Sequence, residues 1–398
     1  MKHFVSTRLT YFWILAVAVT PVVVGSTMPG SPQVKVQSSR HIYQSKKDSL
    51  ASLLSDVNKI QTHLHDVKLI SRTHSIRDSS YTKSWSFQDW ERNQVNALTR
   101  YFRHLTAWYQ STTAIAILPA VMTAISWAIF VILLATKFPG VKSFVQSASF
   151  SSGVIGTFTA PIALLLTLKT NRALDRLFEA RSQWGKISRV LASLAALSVT
   201  YIAPLDPQAA LLMGRYLSIF GWCTKGHFRG EQDLELLYLV LPAEEAKWLE
   251  NSPVDHPAAI VSRLRIQVAG LADKLPISAH LTMETRLSEL ESAIGTCKRI
   301  AASPIPPTYT RHLSRVLCVW LGLMPFALVG IGVSSIALVI HVALTSYVFV
   351  GIDEISVEIE NPFPILPMFH LCTNMQKNVV QQILLLSSLP SKPPPQVE

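Results

Sequence analysis

Charge is scarce in this 398-residue chain: Asp, Glu, Lys and Arg make up 15% of it, against about 25% in average soluble domains. Apolar residues make up 49%, and the mean hydropathy is +0.30. So little charge excludes an ordinary water-soluble domain and points to an apolar environment. The shortage is uneven, because Val316 to Ile352, 37 residues, contains no Asp, Glu, Lys or Arg. Cysteine is scarce too. Cys223, Cys297, Cys318 and Cys372 are far apart and show no CxxC or Cys/His ligand spacing, which excludes a zinc ribbon or a disulfide framework and leaves ordinary thiols. Walker A, GxSxG, HExxH and Rossmann glycine patterns are missing as well. No enzyme, cofactor or metal site is therefore expected.

The charge that is present is mostly basic, with a net of +11. A nucleic-acid binder gathers Lys and Arg on one face of a soluble fold. Here they flank apolar runs, as at membrane edges, so no nucleic-acid partner is expected. At the N-terminus Lys2, His3 and Arg8 precede the apolar run Tyr11 to Val24, and small residues follow at Val24, Gly25 and Ser26. This reads as a signal peptide over 1–26. From Thr27 to Lys47 the chain is basic and Ser-rich without one acidic residue, a composition resembling a plastid transit segment over 27–80. A secretory signal followed by an unstructured arm is the alternative. The pair "HLHD" at 63–66 places its histidines at i and i+2, which do not share a helix face, so they read as solvated.

Four membrane spans are expected, near 112–136, 145–168, 308–330 and 333–352. Ala114 to Thr136 has no charge and is long enough to cross a core of about 30 Å. Pro119 would kink it without breaking it. "KFPGVKSF" (137–144) reads as a turn. A second apolar run from Val145 ends at Leu168 in a basic mouth, Lys169 and Arg172, followed by Arg176 and Arg181. The 37-residue run would be about 55 Å long as one helix, nearly twice the bilayer core, so it divides near Gly330 to Ser335. An even number of spans leaves both termini and the central segment on one side. That segment, 172–300, is charged and Leu-periodic and reads as a helical module outside the membrane. In it Arg172, Asp175, Arg176 and Glu179 can exchange salt bridges along one helix. The Pro-rich end, 376–398, reads as a flexible tail.

Two constellations stand out. Asp353, Glu354, Glu358 and Glu360 suit a hard cation by ligand type, but their spacing spreads them around a helix, so a solvated helix end is the competing reading. In the second span, Thr157, Ala160, Leu164 and Leu168 fall on one stripe by helical spacing. Such a stripe packs on a neighbouring helix in a monomer. In a ring of subunits it becomes a hydrophobic constriction.

Three stretches, "NRALDRLFEARSQWG" (171–185), "CKRIAASPIPPTYTRHLSR" (297–315) and "GIDEISVEIENPFPILPMFHLC" (351–372), are similar to the bestrophin family of anion channels in order and spacing. The resemblance covers roughly 85–375. "TAPIALLL" (159–166) and "PIPPTYTRH" most resemble its plastid thylakoid branch. It implies an all-α membrane protein with four spans and a helical vestibule, assembled as a homopentamer around one pore that conducts chloride, with bicarbonate or nitrate as further candidates. Family neck positions fall on Ala160, Leu164 and Leu168. A narrower aperture deeper in the vestibule falls on Ile277 or Leu281. Calcium-activated members carry acidic residues just after Asn-Pro-Phe; here Asn361, Pro362 and Phe363 lead into "PILPMFHLC", which has no carboxylate, so calcium gating is not implied. Asp353 and Glu354 then read as partners of vestibule Lys or Arg. A non-conducting membrane scaffold of the same fold is the alternative, and it requires the Leu164 and Leu168 stripe to face protein or lipid.

Overall fold

The computed structural model describes residues 85–388 apart from 95, 107, 109–110, 148–151 and 231. The expectations for 1–84, including the targeting segments and "HLHD", lie outside the described residues. Every regular element among them is helical: α1 (Phe87–Asn93), α2 (Ala97–Thr106), α3 (Thr112–Lys137), α4 (Pro139–Ser147), α5 (Ser152–Leu197), a π-helical turn (Ser198–Ile202), α6 (Pro207–Arg229), α7 (Leu234–Val240), α8 (Ala243–Glu250), α9 (His256–Ala269), α10 (Ile277–Ala302), α11 (Pro307–Gly330), α12 (Ser335–Glu360), α13 (Pro362–Ile365) and α14 (Met368–Ser388).

Helices α3, α5, α11 and α12 form an antiparallel group whose register is fixed by a few close approaches. The Ile117 side chain lies 3.6 Å from the position a Cβ would take on Gly351, so the start of α3 lies beside the end of α12. Tyr309 donates to the Leu165 carbonyl at 2.7 Å, which sets the start of α11 beside the middle of α5. At the other end Gly330 packs on the Val145 backbone, 3.2 Å from a would-be Cβ. A side chain there would push α11 away from α4. Midway, the Trp127 indole donates to the Gly322 carbonyl at 2.9 Å. Helices α3, α11 and α12 are long and apolar enough to cross a membrane. Ser111 and Ser334 cap α3 and α12 by accepting from Ala114 and Ala337 N–H. The left-handed Gly332, φ 78°, turns α11 into α12, where the 37-residue run was expected to divide.

Several boundaries differ from the sequence reading. "KFPGVKSF" is mostly helix, because Pro139 occupies the first position of α4, where its missing N–H costs nothing. The expected break between second span and module is absent, since α5 runs unbroken through both. Helix α12 continues eight residues past Ile352, carrying its acidic residues in regular helix. The expected tail is structured as far as Ser388, because Met375, Gln376, Val379 and Val380 recur at helical spacing and are buried. Helix α14 packs them against α6 and α5.

The core is in two parts. The larger lies in the module, where Trp184, Ile187, Leu191 and Leu194 of α5 meet Met213, Tyr216 and Phe220 of α6 and Met283, Leu287 and Leu290 of α10. The smaller joins Ile162 and Leu166 of α5 to Leu313, Leu317, Trp320 and Met324 of α11 and to Leu338 and Val342 of α12. Cys223, Cys297 and Cys372 are buried in the module, and burial pushes each thiol up to about 12.

Candidate functional site

Helix α5 presents two opposite faces. Ile162, Leu166, Lys169, Ala173, Ala180 and Trp184 point into the chain's own core, all essentially inaccessible. On the other side Thr157, Ala160, Leu164 and Leu168 are exposed, Leu164 by 60% and Leu168 by 49%. The stripe expected from helical spacing is thus brought together on one outward face. Its chemistry is almost purely C–H. Thr167, beside it, returns its hydroxyl to the Ala163 carbonyl at 2.8 Å, and Thr170 returns its own to Leu166 at 2.9 Å. Pro161 withholds one N–H within the same turn and is accommodated without breaking the helix.

Below Leu168 the two residues expected as a basic mouth separate. Arg172 is exposed and faces Asp175 at 4.0 Å. A pair so exposed contributes about 0–1 kcal/mol. Lys169 turns inward instead: its side chain is 0% exposed and its ammonium donates to Asp353 Oδ1 at 2.6 Å. Lys169 therefore adds no charge to an outer mouth. The reason is register, since 169 lies three residues after buried Leu166 and shares its face. The pairing of Asp353 with a lysine agrees, for that residue, with the reading as an ion-pair partner. Glu360, at the end of α12, accepts the Ile305 N–H at 2.8 Å. No group of three or more potential metal ligands occurs among the described residues.

Arg176 does something its spacing gave no sign of. Its guanidinium donates to the carbonyls of Glu360 at 2.9 Å, of Ile300 at 2.7 Å and of Ser303. Ile300 and Ser303 lie at the end of α10, where helix carbonyls lack intrahelical donors. The three prolines that follow, Pro304, Pro306 and Pro307, have no N–H to offer. One arginine thus closes the elbow between α10 and α11 and ties it to α12. Arg229 does the same beyond Asn361, donating to the carbonyls of Phe363, Pro364 and Leu366, while Phe228 stacks on Phe363 with centroids 4.3 Å apart. The salt bridges expected along α5 are only partly intrahelical, because Glu179 accepts from Arg299 of α10 at 2.6 Å.

The pairing of Glu179 with Arg299 and of Arg176 with Ile300 sets α10 antiparallel to α5. Its first turn therefore lies about 35 Å further from the membrane group, at 1.5 Å per residue. Ile277 and Leu281 sit in that turn, 78% and 59% exposed, on the face opposite Ala279 and Met283. The two candidate constrictions are thus both outward-facing and far apart along the long axis.

Elsewhere in the module the charged groups are largely spent on one another. Glu245 takes a two-pronged contact from Arg263 and a hydrogen bond from Tyr216 at 2.6 Å. The Arg263 contact, outweighing burial, holds its carboxyl below the usual range. Asp255 is pushed up by burial but pulled down further by Lys298 at 2.5 Å and the Ala258 N–H, for a net lowering.

The fold and the two-faced α5 define a helical membrane protein with a long extramembrane module. The family model for bacterial and fungal bestrophin proteins matches residues 90–381. The chain is similar to a voltage-dependent anion channel-forming protein of Nostoc sp., 33% identical over 229 residues, which is 55% of this chain and 73% of that one. It is also similar to voltage-dependent chloride channel 1, chloroplastic, of Arabidopsis thaliana, 24% identical over 299 residues, 71% of this chain and 69% of that one. Its fold matches the crystal structure of a bacterial bestrophin homologue from Klebsiella pneumoniae with a TM-score of 0.60 at 24% identity, covering 67% of this chain and 98% of that one. The chain belongs to the bestrophin family.

Proposed function

We propose that the protein is an anion channel in which five copies surround one pore, each contributing the Thr157, Ala160, Leu164 and Leu168 face of α5 to a hydrophobic neck. The observation that carries this reading is the two-faced α5. Its buried face is satisfied within the chain, while its outward face is a narrow row of small and aliphatic groups leading straight into a charged module. The outer faces of α3 and α12 are different, with large apolar groups such as Met122, Phe130, Ile336 and Ile340, which suit lipid. A neck lined by C–H groups offers no ligands to replace water. It therefore passes large, weakly hydrated anions more readily than small, strongly hydrated ones, and it closes by dewetting. Anions reach it through the vestibule formed by the module. Chloride is the expected main ion, with bicarbonate or nitrate permeating as well, and Ile277 or Leu281 forms a second constriction at the vestibule entrance.

The relatives' names as anion and chloride channels support the activity, and the chloroplastic relative supports a plastid setting. Together with the acid-free, Ser-rich stretch from Thr27 to Lys47, this favours the thylakoid membrane. There, passive anion flow would dissipate electrical potential or deliver bicarbonate to the lumen. Planar-bilayer recording of the purified full chain tests the neck. Leu164→Ala and Leu168→Ala are expected to raise anion current and weaken discrimination by hydration. Unchanged current and selectivity in both would remove the neck from α5, and a wild type silent at every voltage and calcium level would favour a non-conducting scaffold.

A further inference from the structure

The face of α11 that turns away from the chain's own core carries two arginines for which the channel reading has no task. Leu313, Leu317, Trp320 and Met324 pack inward with residues of α5 and α12. Arg311, Arg315 and Cys318 recur at i, i+4 and i+7 on the opposite side, and all three are exposed. Among the described residues neither arginine has a carboxylate partner. The membrane half offers none, because 92–174 and 292–352 contain no Asp or Glu and Asp353 is taken by Lys169. A second copy of the chain would bring the same acid-free segments.

Their depth follows from contacts at both ends of α11. Tyr309 is level with Leu165 through its hydrogen bond, and Gly330 is level with Val145. Arg311 and Arg315, two and six residues beyond Tyr309, therefore stand near the levels of Ala163 and Thr159, alongside the α5 stripe. Tyr347 of α12 falls at the level of Arg311, since it lies six residues before Asp353, whose partner Lys169 lies six residues after Ala163. There Tyr347 meets Trp108 edge to face, centroids 5.3 Å apart. A Trp and a Tyr together mark the boundary between hydrocarbon and headgroups. Arg311 is thus at that boundary, with Arg315 one turn, about 6 Å, deeper. Helical side chains tilt toward the helix N-terminus, which in α11 is the vestibule side, so both guanidinium groups reach back toward the headgroups.

An arginine at the edge of hydrocarbon keeps its charge and needs an anion or water opposite it. Permeant anions are on the wrong side. Helix α5 turns its Ile162 and Leu166 face to α11 and its Leu164 and Leu168 stripe the opposite way, so the arginines look away from a pore lined by that stripe. Deeper on the arginine side come Cys318 and then Val319, 62% exposed. Two cations above an apolar strip match the outline of a phospholipid. We propose that Arg311 and Arg315 hold the phosphate of an anionic phospholipid of the vestibule-side leaflet, with an acyl chain running down over Cys318 and Val319. The guanidinium fork suits phosphate oxygens, and the lipid supplies the negative charge that the chain lacks at this level. The outward direction of this face rests on the proposed neck, so the experiment reads the two separately.

The full chain is reconstituted into vesicles of phosphatidylcholine with a minority of phosphatidylglycerol. Cys318, the one exposed thiol among the described residues, carries a nitroxide; a second sample carries it at Ile129→Cys in a Cys318→Ser background. The Cys318 label is expected to be accessible to oxygen and shielded from a nickel chelate. Native mass spectrometry of the unlabelled protein reads the ratio of retained phosphatidylglycerol to phosphatidylcholine. Arg311→Gln/Arg315→Gln is expected to lower that ratio severalfold, while Arg311→Lys/Arg315→Lys keeps most of it and added inorganic phosphate leaves it unchanged. A ratio unmoved by the two glutamines would overturn the lipid site, and displacement of the lipid by inorganic phosphate would make it a site for a free anion instead. A Cys318 label closed to both reagents would assign the face to a neighbouring subunit and overturn the proposal. Nickel access at Cys318 with Ile129 shielded would place water behind α5 and overturn it too, whereas nickel access at both would sink the membrane reading beneath it. If Leu164→Ala and Leu168→Ala left the current unchanged while the lipid ratio still depended on the arginines, the neck would fall and the lipid site would stand.

Discussion

The membrane half and the module are built from one continuous helix, yet they solve opposite problems. In the module, α5 sinks Trp184, Ile187, Leu191 and Leu194 into a core shared with α6, α10 and α14, and its charged groups find partners in the same chain. In the membrane half the same helix buries only a narrow face, Ile162, Leu166 and Lys169, and leaves the rest outside. Apolar surface in the module is withdrawn from water by the chain itself, which drives folding. In the membrane half, lipid tails are as apolar as leucine, so exposure carries little penalty there and the outer face is free to serve assembly and transport. Stability should therefore be concentrated in the module, and conduction in the exposed stripe of the membrane half.

The sharpest way to break this comparison is to open the module core. Trp184 is wholly buried at the centre of the packing between α5 and its neighbours. Trp184→Ala should cost about 3–5 kcal/mol and lower the thermal midpoint of the detergent-solubilised protein more than any substitution in the membrane half. If Leu164→Ala lowered that midpoint as much, the contrast between the halves would be wrong.

Next comes the boundary. Lys169 and Asp353 form an ion pair that joins α5 to α12 where the membrane half meets the module. Lys169→Met strands a largely buried carboxylate, a loss of about 3 kcal/mol when a buried pair is broken on one side. Lys169→Met/Asp353→Asn removes both charges and should recover much of it, and Lys169→Arg should recover most. A double variant no more stable than Lys169→Met would show that the aliphatic stem of the lysine, not its charge, holds the helices together.

How far all this was legible depended on distance along the chain. The ends of α3 and α11, the Gly330 to Ser335 turn and the α5 stripe could be read from the sequence, because hydropathy, glycine and helical spacing act within a few residues of one another. The fates of Lys169 and Arg176 could not. The sequence reading puts Lys169 with Arg172 in a basic mouth and Arg176 among salt bridges along one helix, whereas their partners lie 184 and 124 residues away. The C-terminal helix α14 is hidden differently: the Pro-rich ending dominates the composition of this end of the chain, while Val379 and Val380 give only a short helical signal.

A smaller effect belongs to the module's charges. Arg263 and then Tyr216 hold Glu245 in its ionised form, outweighing burial, so its folded value lies below the ordinary 4.5. A carboxylate shifted downward stabilises the fold above its unfolded value, and that contribution fades as pH falls from about 4.5 through the folded value. Glu245→Gln should cost about 1–2 kcal/mol at neutral pH, reduced from a fully buried pair because the site keeps solvent contact. Its loss of stability on acidification should also be shallower than that of the wild type. Parallel acid titrations of the two proteins, followed by thermal unfolding, decide this; superimposable pH curves would remove Glu245 from the acid response.

The smallest stability effect is expected where the functional effect is largest. Leu164 contributes little to its own chain's packing, being 60% exposed, so Leu164→Ala should shift subunit stability by no more than about 0.5 kcal/mol, the range of surface substitutions. Leu166, two residues on and wholly buried, should lose about 2–5 kcal/mol on the same change. In the proposed pentamer five copies of Leu164 would lie at one level of the pore, so removing their side chains would widen the neck on every side at once. The adjacent pair makes the comparison within half a turn of one helix: Leu166→Ala should unfold more easily while keeping the anion selectivity of whatever folds, and Leu164→Ala should unfold normally while conducting differently. Loss of selectivity in Leu166→Ala with none in Leu164→Ala would mean that the pore lies on the face of α5 now assigned to the core.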